Sequence, residues 1–423
     1  MKVLWITNEP LPEALSLLSG HRYVSDSTGS WVCALASYLP AACPGIELAV
    51  ASPCAMVDSV THLRGEHVRH ILLPRPGRND RCVEGIEVMW RRIRDEVAPD
   101  VVHIHGTEYP HGLAYVKACG PEHVLVTIQA VLGRYCIPEV FFGGLPVTDL
   151  LTTVTPRDIF RRDSLFAQRR RMVLRSKYET ELLKSVRHVG GRTLWDRESV
   201  MEVNPALEYH YCGELLREPF HSGTWSYDSC VRGRIFVAQG YCPIKGFHQL
   251  LKALPAILES HPDVTVRVAG PAVIRGESFA ERIKISGYGL FLRRIMRRHG
   301  LRDRVEFIGE IDALSMRSEL LSCNVSVLPS SVENSPNSLG EAQMLGVPCV
   351  ASRVGGVPDM IPDAECGVMY DFHDLPGLAE AVSSALDKSE TFDGRHVRKV
   401  AADRHCPDRV VSGLVNIYDA ICR

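Results

Sequence analysis

The chain has 423 residues, of which 45% are hydrophobic and 23% charged, with a formal net charge of −2. That length exceeds one ordinary core and suits two domains of about 200 residues each. The near-neutral balance excludes a global field aimed at nucleic acid or at a membrane. Fourteen cysteines include no C-x-x-C pair, and most lie in apolar runs (Cys33, Cys323, Cys349), so they read as buried thiols of a reducing compartment.

From the N-terminus, "MKVLWITNEP" carries one lysine and an apolar run too short for a signal peptide. No stretch of about 18 uninterrupted apolar residues follows anywhere, so no bilayer span is expected and the cytoplasm is the default location. Short Val- and Ile-rich runs then alternate with helical patterns. Val3–Thr7, Glu47–Ala51, Arg69–Leu73, Asp100–His105 and Val124–Ile128 read as buried strands; Ser30–Leu39 and Glu84–Val97 read as helices. The pattern fades after these. "SGTWSYDSCVRG" (Ser222–Gly233) is polar and rich in breakers, and reads as a linker. Alternation restarts at Arg234–Gln239 and continues through Val264–Gly270, Val305–Gly309, Asn324–Ser330 and Pro348–Ser352. Val410, Val411, Leu414, Ile417, Tyr418 and Ile421 share one helical face at the C-terminus.

This is the grammar of two doubly wound α/β halves in tandem. The expected division is 1–221, a linker at 222–233, and 234–407, with a helix at 408–423 free to pack back on the first half. Ligands of open α/β sheets bind beyond the carboxyl ends of the strands, which places substrates between the halves.

"VENSPNSLGEAQMLGVP" (Val332–Pro348) holds two carboxylates, Glu333 and Glu341, on either side of a proline and two asparagines. Pro336 marks a helix start and leaves Glu333 in the loop before it. One reading of Glu341 is purely structural: Ser338 caps the helix and Glu341 completes an S-x-x-E capping box. The other uses the free N–H groups and partial positive charge of the helix start. There Asn337, Ser338 and Leu339 would cradle a diphosphate, Glu341 would accept from a ribose diol, and Glu333 would face what the diphosphate carries. Spacing alone leaves both open.

The wider segment "VENSPNSLGEAQMLGVPCVASRVGGVPDMI" resembles the C-terminal signature of the family 4 retaining glycosyltransferases, whose fold is GT-B. The resemblance includes the E-x7-E pair, the Gly346-Val347-Pro348 turn and the Gly355–Asp359 loop. Upstream, "PIKGFHQLLKAL" resembles the family's K-G segment, "VEFIGEID" its strand near the base, and "PDVVHIHG" a typical first-half string. The resemblance implies a UDP- or GDP-sugar donor held mainly by the second half. Lys245 would meet the diphosphate beside Gly246, Glu341 the ribose, Glu333 the sugar, and the Gly309/Glu310 turn the base. It implies front-face transfer with retention, no catalytic metal and no cofactor, onto a glycan or lipid-linked acceptor in cell-surface polysaccharide synthesis. No nucleic-acid partner is implied.

Three positions depart from the family pattern. Gly240 stands where many members have a second phosphate-clamping arginine; Arg275 is one substitute. Gln129 stands where a histidine commonly approaches the sugar, so no titrating group is expected there. The first-half glycine pair is reduced to Thr28-Gly29-Ser30, with Gly29 either binding phosphate or making a plain turn. His103, His105 and His111 crowd one strand end; polar lining of the cleft, with His105 and Gln129 among the catalytic candidates beside Lys245 and Glu333, is favoured over a metal site for want of a full ligand set.

Arginines and apolar residues also mix between Arg157 and Lys177. They read equally as a solvated helix face or as a peripheral contact with anionic lipid, which would suit a lipid-borne acceptor. Two alternatives to transfer are a GT-B sugar-nucleotide epimerase and a catalytically weak nucleotide-sugar binder.

Overall fold

The structure, a computed structural model, describes residues 1–21, 23, 30–75, 81–271 and 285–423. Gly29 and Arg275 lie outside the described residues, so the expectations placed on them do too. The chain divides into two units. The first comprises Met1–Arg134, Arg171–Arg217 and Arg404–Arg423; the second comprises Tyr135–Arg170 and Glu218–Asp403.

The first unit is built on an eight-stranded sheet. Its strands are β1 (Lys2–Ile6), β2 (Glu47–Cys54), β3 (Thr61–Arg64), β4 (Val68–Pro74), β5 (Val101–His105), β6 (Val124–Thr127), β7 (His188–Gly191) and β8 (Glu208–Tyr211), in the order β3-β4-β2-β1-β5-β6-β7-β8. All neighbours are parallel except β3 and β4. Strand side chains alternate between faces, and β1 shows the result: Leu4 and Ile6 enter one core, Val3 and Trp5 the other. Helix Ile86–Val97 closes the first face through Ile86, Trp90, Ile93 and Val97, spaced for one helical stripe.

The second face is closed by the C-terminal helix Pro407–Ile421, through the same six residues whose spacing marked it in the sequence. Tyr418 is its anchor. The Tyr418 hydroxyl accepts from the Trp5 indole N–H at 2.9 Å and lies 2.7 Å from His103 Nδ1.

The second unit has six parallel strands: β9 (Arg234–Val237), β10 (Thr265–Ala269), β11 (Val305–Gly309), β12 (Val325–Leu328), β13 (Cys349–Ser352) and β14 (Val368–Tyr370). Their order is β11-β10-β9-β12-β13-β14. The sequence "SGTWSYDSCVRG" is not a free linker. Trp225 is buried in this unit's core and donates its indole N–H to Cys323 O at 2.7 Å.

Residues 135–170 also belong here, although the sequence division placed them in the first half. The reason is a set of backbone-level contacts. Ser331 Oγ donates to Val140 O at 2.7 Å, His248 Nε2 lies 2.9 Å from Gly143 O, and Gly287 N donates to Asp158 Oδ2 at 3.0 Å.

Candidate active site

In a parallel sheet, the loops that leave the carboxyl ends of the strands converge on one edge. In the second unit these loops carry most of the residues singled out by sequence. β9 leads through Gly240 to a short 3-10 turn, Pro243–Lys245, and then helix Phe247–Ser260. β12 leads to Ser330 and Glu333, then helix Asn337–Leu345. β13 leads to Gly355 and Gly356. β10 and β11 end at Gly270 and Gly309, tied by Gly270 N donating to Gly309 O at 2.9 Å.

The centre of this edge is an ion pair. Lys245 Nζ donates to Glu333 Oε1 at 2.7 Å, and Ser330 Oγ donates to the same oxygen at 2.7 Å. The side chains are 20% and 7% exposed, so the pair is largely shielded but reachable. Burial works against the Lys245 charge. The Glu333 charge and hydrogen bond outweigh it and hold the lysine pKa above its ordinary value. An ammonium has three donors, and Glu333 takes one of them.

Two glycines make the pair's backbone frame. Gly246 has φ 65°, and a Cβ there would lie 1.5 Å from Pro329 O; the K-G turn is pressed directly on the end of β12. Gly355 has φ 52°, a Cβ there would lie 1.9 Å from Glu333 O, and Gly356 N donates to that oxygen at 3.0 Å. The Gly355-Gly356 loop therefore fixes Glu333 from behind. Only glycine adopts this backbone without strain at such close approach.

Helix Asn337–Leu345 begins two residues earlier than a Ser338 cap requires. Pro336 occupies the N-cap position, no side chain caps the helix, and Ser338 lies inside the first turn. Proline before the first turn already sets the entry angle, which removes the need for a serine cap. The capping-box account of Glu341 therefore fails. Glu341 is 3% exposed, one turn inside the helix. Asn337 Oδ1 is a buried acceptor without a hydrogen-bond partner among the described residues. Ser338 is half-buried and Leu339 buried. A helix start with uncapped N–H groups suits a phosphate or other anion, while the Asn337 Oδ1 acceptor calls for a donor such as a hydroxyl.

Gly309 ends the edge strand with φ 80°, and Glu310 is exposed just beyond it. Gly240 has no open space for an arginine. A Cβ there would lie 2.7 Å from Val268 Cγ2 and 3.1 Å from Phe247 Cγ, so packing fills the place of the second cation.

The first unit has its own polar cluster at the carboxyl ends of β5, β6 and β7. Gln129 Oε1 faces the Arg192 guanidinium at 3.4 Å, and Arg192 is paired with buried Glu214. Glu108 accepts from Ala130 N at 3.2 Å and from Asn8 Nδ2 at 3.1 Å. Glu179 accepts from Thr107 Oγ1 at 2.6 Å and Gly133 N at 3.1 Å. Burial, reinforced by the Glu108 charge and opposed by the hydrogen bonds, pushes Glu179 up to about 7. Sequence reading missed Glu108, Glu179 and Arg192. Each is an ordinary-looking charge in its own segment, and only the converging strand ends join them.

The histidines at this strand end form core packing. His105 is buried, with its ring 4.4 Å from Trp5 and 3.7 Å from His103 between centroids. Burial brings the His105 pKa down to about 3, so the ring stays neutral at ordinary pH. His103 contacts Thr127 and Tyr418, and His111 Nδ1 lies 3.7 Å from Cys82 Sγ. His105 is thus a buried, neutral ring packed between Trp5 and His103.

Residues 235–398 match the model of the family described as glycosyl transferases group 1. This part of the chain is similar to that family. Around it, the chain is 32% identical over 136 residues to D-inositol 3-phosphate glycosyltransferase 2 of Catenulispora acidiphila, covering 30% of this chain and 32% of that protein. It is 28% identical over 186 residues to spore coat protein SA of Bacillus subtilis, covering 42% and 46%. The chain thus spans about a third to a half of the length of these curated relatives.

The whole chain superposes on sucrose-phosphate synthase from Thermosynechococcus elongatus with a TM-score of 0.73 at 16% identity, covering 100% of this chain and 99% of that one. It also superposes on Anabaena HepE in complex with UDP-glucose, with a TM-score of 0.64 at 13% identity, covering 99% and 100%. The fold of the chain is GT-B.

Proposed function

We propose that the protein is a retaining, metal-independent glycosyltransferase that moves a sugar from a nucleoside diphosphate donor to a hydroxyl of a glycan or lipid-linked acceptor. The observation that carries this reading is the Lys245–Glu333 pair, set beside the uncapped start of helix Asn337–Leu345 in the part of the chain similar to group 1 glycosyltransferases. HepE was solved with UDP-glucose, which favours uridine as the base.

The donor's diphosphate lies between Lys245 and the helix start. Two of the lysine's three donors remain for phosphate oxygens while Glu333 fixes the third. Glu341 accepts from the ribose hydroxyls, and Asn337 Oδ1 supplies a further acceptor. As the glycosidic bond breaks, negative charge grows on the leaving diphosphate. A cation and a helix N-terminus already in place oppose it without reorganising. The acceptor hydroxyl attacks from the leaving-group face, its proton passes to the departing phosphate oxygen, and Glu333 stabilises the positive charge developing on the sugar.

The experiment is to incubate the protein with UDP- and GDP-hexoses and a panel of hydroxyl acceptors, follow nucleoside diphosphate release, and read the product anomer by NMR. Lys245→Ala is expected to cut kcat by about 100-fold or more, the size seen when one preorganised charge-stabilising donor is lost. Donor consumed without acceptor to give an epimeric donor would replace transfer with epimerisation. Nucleotide binding with no turnover of any donor would leave a binder only.

A further inference from the structure

The segment Val147–Phe166 of the second unit leaves much of its apolar surface outward. Helix Val147–Leu151 buries Leu150 but exposes Val147 and Leu151, and helix Pro156–Phe160 buries Asp158 while exposing Ile159 and Phe160. Asp158, Thr153 and Thr155 are buried, while Val147, Leu151, Val154, Ile159, Phe160 and Phe166 are exposed. Phe160 is 91% exposed and Ile159 66%. A surface aromatic left almost wholly in water has no folding rationale, and several together mark a contact surface.

The orientation is not a loose one. Asp158 accepts from Gly287 N at 3.0 Å and from Arg157 Nη1 at 2.8 Å, and Thr155 Oγ1 caps the second helix by accepting from Asp158 N at 3.1 Å. Gly287 is pressed so close that a Cβ there would lie 1.4 Å from Thr153 O. These anchors fix the polar side against the body of the unit, so the apolar side cannot turn in. Arg161 and Arg162, both exposed, directly follow Phe160. The basic stretch noted in the sequence, Arg157–Lys177, therefore divides: its start carries this outward face, while in helix Leu165–Ser185 Leu165 is buried and Met172 and Val173 are half-buried.

We infer that this outward face is a membrane-docking surface. Ile159 and Phe160 enter the headgroup–acyl boundary of a bilayer rich in anionic phospholipid, and Arg161 and Arg162 meet its phosphates. An apolar tip with a cationic rim matches an interface that is apolar below and negative above. The inference stands apart from the transfer reaction: none of these residues belongs to the candidate active site, and no helix among the described residues is long and apolar enough to cross a membrane.

The test is sedimentation of the full chain with vesicles of phosphatidylcholine alone and of phosphatidylcholine mixed with phosphatidylglycerol, at low and high salt. Binding is expected to the mixed vesicles only, weakened by salt. Phe160→Ser is expected to weaken it about tenfold or more, from the apolar area lost. Arg161→Glu should weaken it at least about fivefold. Both variants should retain the wild-type melting temperature, because neither side chain is buried. Failure of the wild type to bind mixed vesicles would overturn the inference. So would a Phe160→Ser variant that binds as the wild type does. A wild-type dimer that Phe160→Ser dissociates, with no vesicle binding, would assign the face to a second copy instead.

Discussion

At the residue scale, Gly246 and Gly355 sit where any Cβ would strike a neighbouring carbonyl. Gly355→Ala should therefore displace Glu333. The positive φ alone costs about 1–2 kcal/mol, and the clash adds to it. The expected outcome is a lower melting temperature together with a fall in kcat larger than stability explains, measured side by side at a temperature where the variant is folded. Gly240→Arg places a cation where the family pattern led one to expect it, but Val268 and Phe247 fill the site. It should destabilise the protein and leave donor affinity no better; a gain in affinity would show that the packing yields.

Sequence reading reached Lys245, Glu333 and Glu341 because their motif is local. It left a Ser338 cap open as one reading because an S-x-x-E pattern does not reveal that Pro336 already begins the helix. It placed His105 at a strand end because that position is legible in the sequence, while its burial against Trp5 is not.

At the element scale, the strands legible in the sequence were those with continuous apolar runs. β3 and β8 lie at the sheet edges and alternate or expose their side chains, so "THLR" and "EYHY" carry no such run. The 135–170 segment was misplaced for a related reason. Its ties to the second unit are hydrogen bonds to Gly143 O, Val140 O and Asp158, which have no hydropathy signature.

Element packing also sets a pH dependence. Glu179 joins helix Leu165–Ser185 to the loops after β5 and β6, with its pKa raised from 4.5 to about 7. Between those two values the folded state holds the extra proton and the unfolded state does not. Its contribution therefore falls as pH rises through that window and is fully unfavourable above about 7, by roughly 3 kcal/mol as an upper bound. Glu179→Gln should melt near the wild type at about pH 5 and several degrees above it at about pH 8. His105 and His111 act with the opposite sign. Burial lowers them to about 3 and about 4, so the unfolded state takes up their protons first and stability declines as pH falls below 6.5.

At the scale of the whole molecule, each unit draws on distant parts of the chain. The first unit is completed only by the last helix, whose Tyr418 contacts Trp5 and His103 across more than 300 residues of sequence. Ending the chain before Pro407 would uncover Trp5, Leu39 and Leu414's partners on that face. Such a truncation should lose the cooperative melting of the first unit while the second still binds nucleotide, checked by calorimetry with and without UDP. Tyr418→Phe is the milder form, with an expected loss of about 1–3 kcal/mol from the unpaired Trp5 and His103 groups.

The central claim is that Lys245, Glu333, Glu341 and the helix start form one nucleotide-sugar site. Isothermal titration of the protein with UDP, GDP and their glucose conjugates tests it most directly. The account predicts saturable binding of a uridine donor, weakened about tenfold or more in Glu341→Ala through lost ribose contacts and further in Lys245→Ala. Binding of a nucleotide that is untouched by both substitutions, or no binding by the folded wild type, would contradict it.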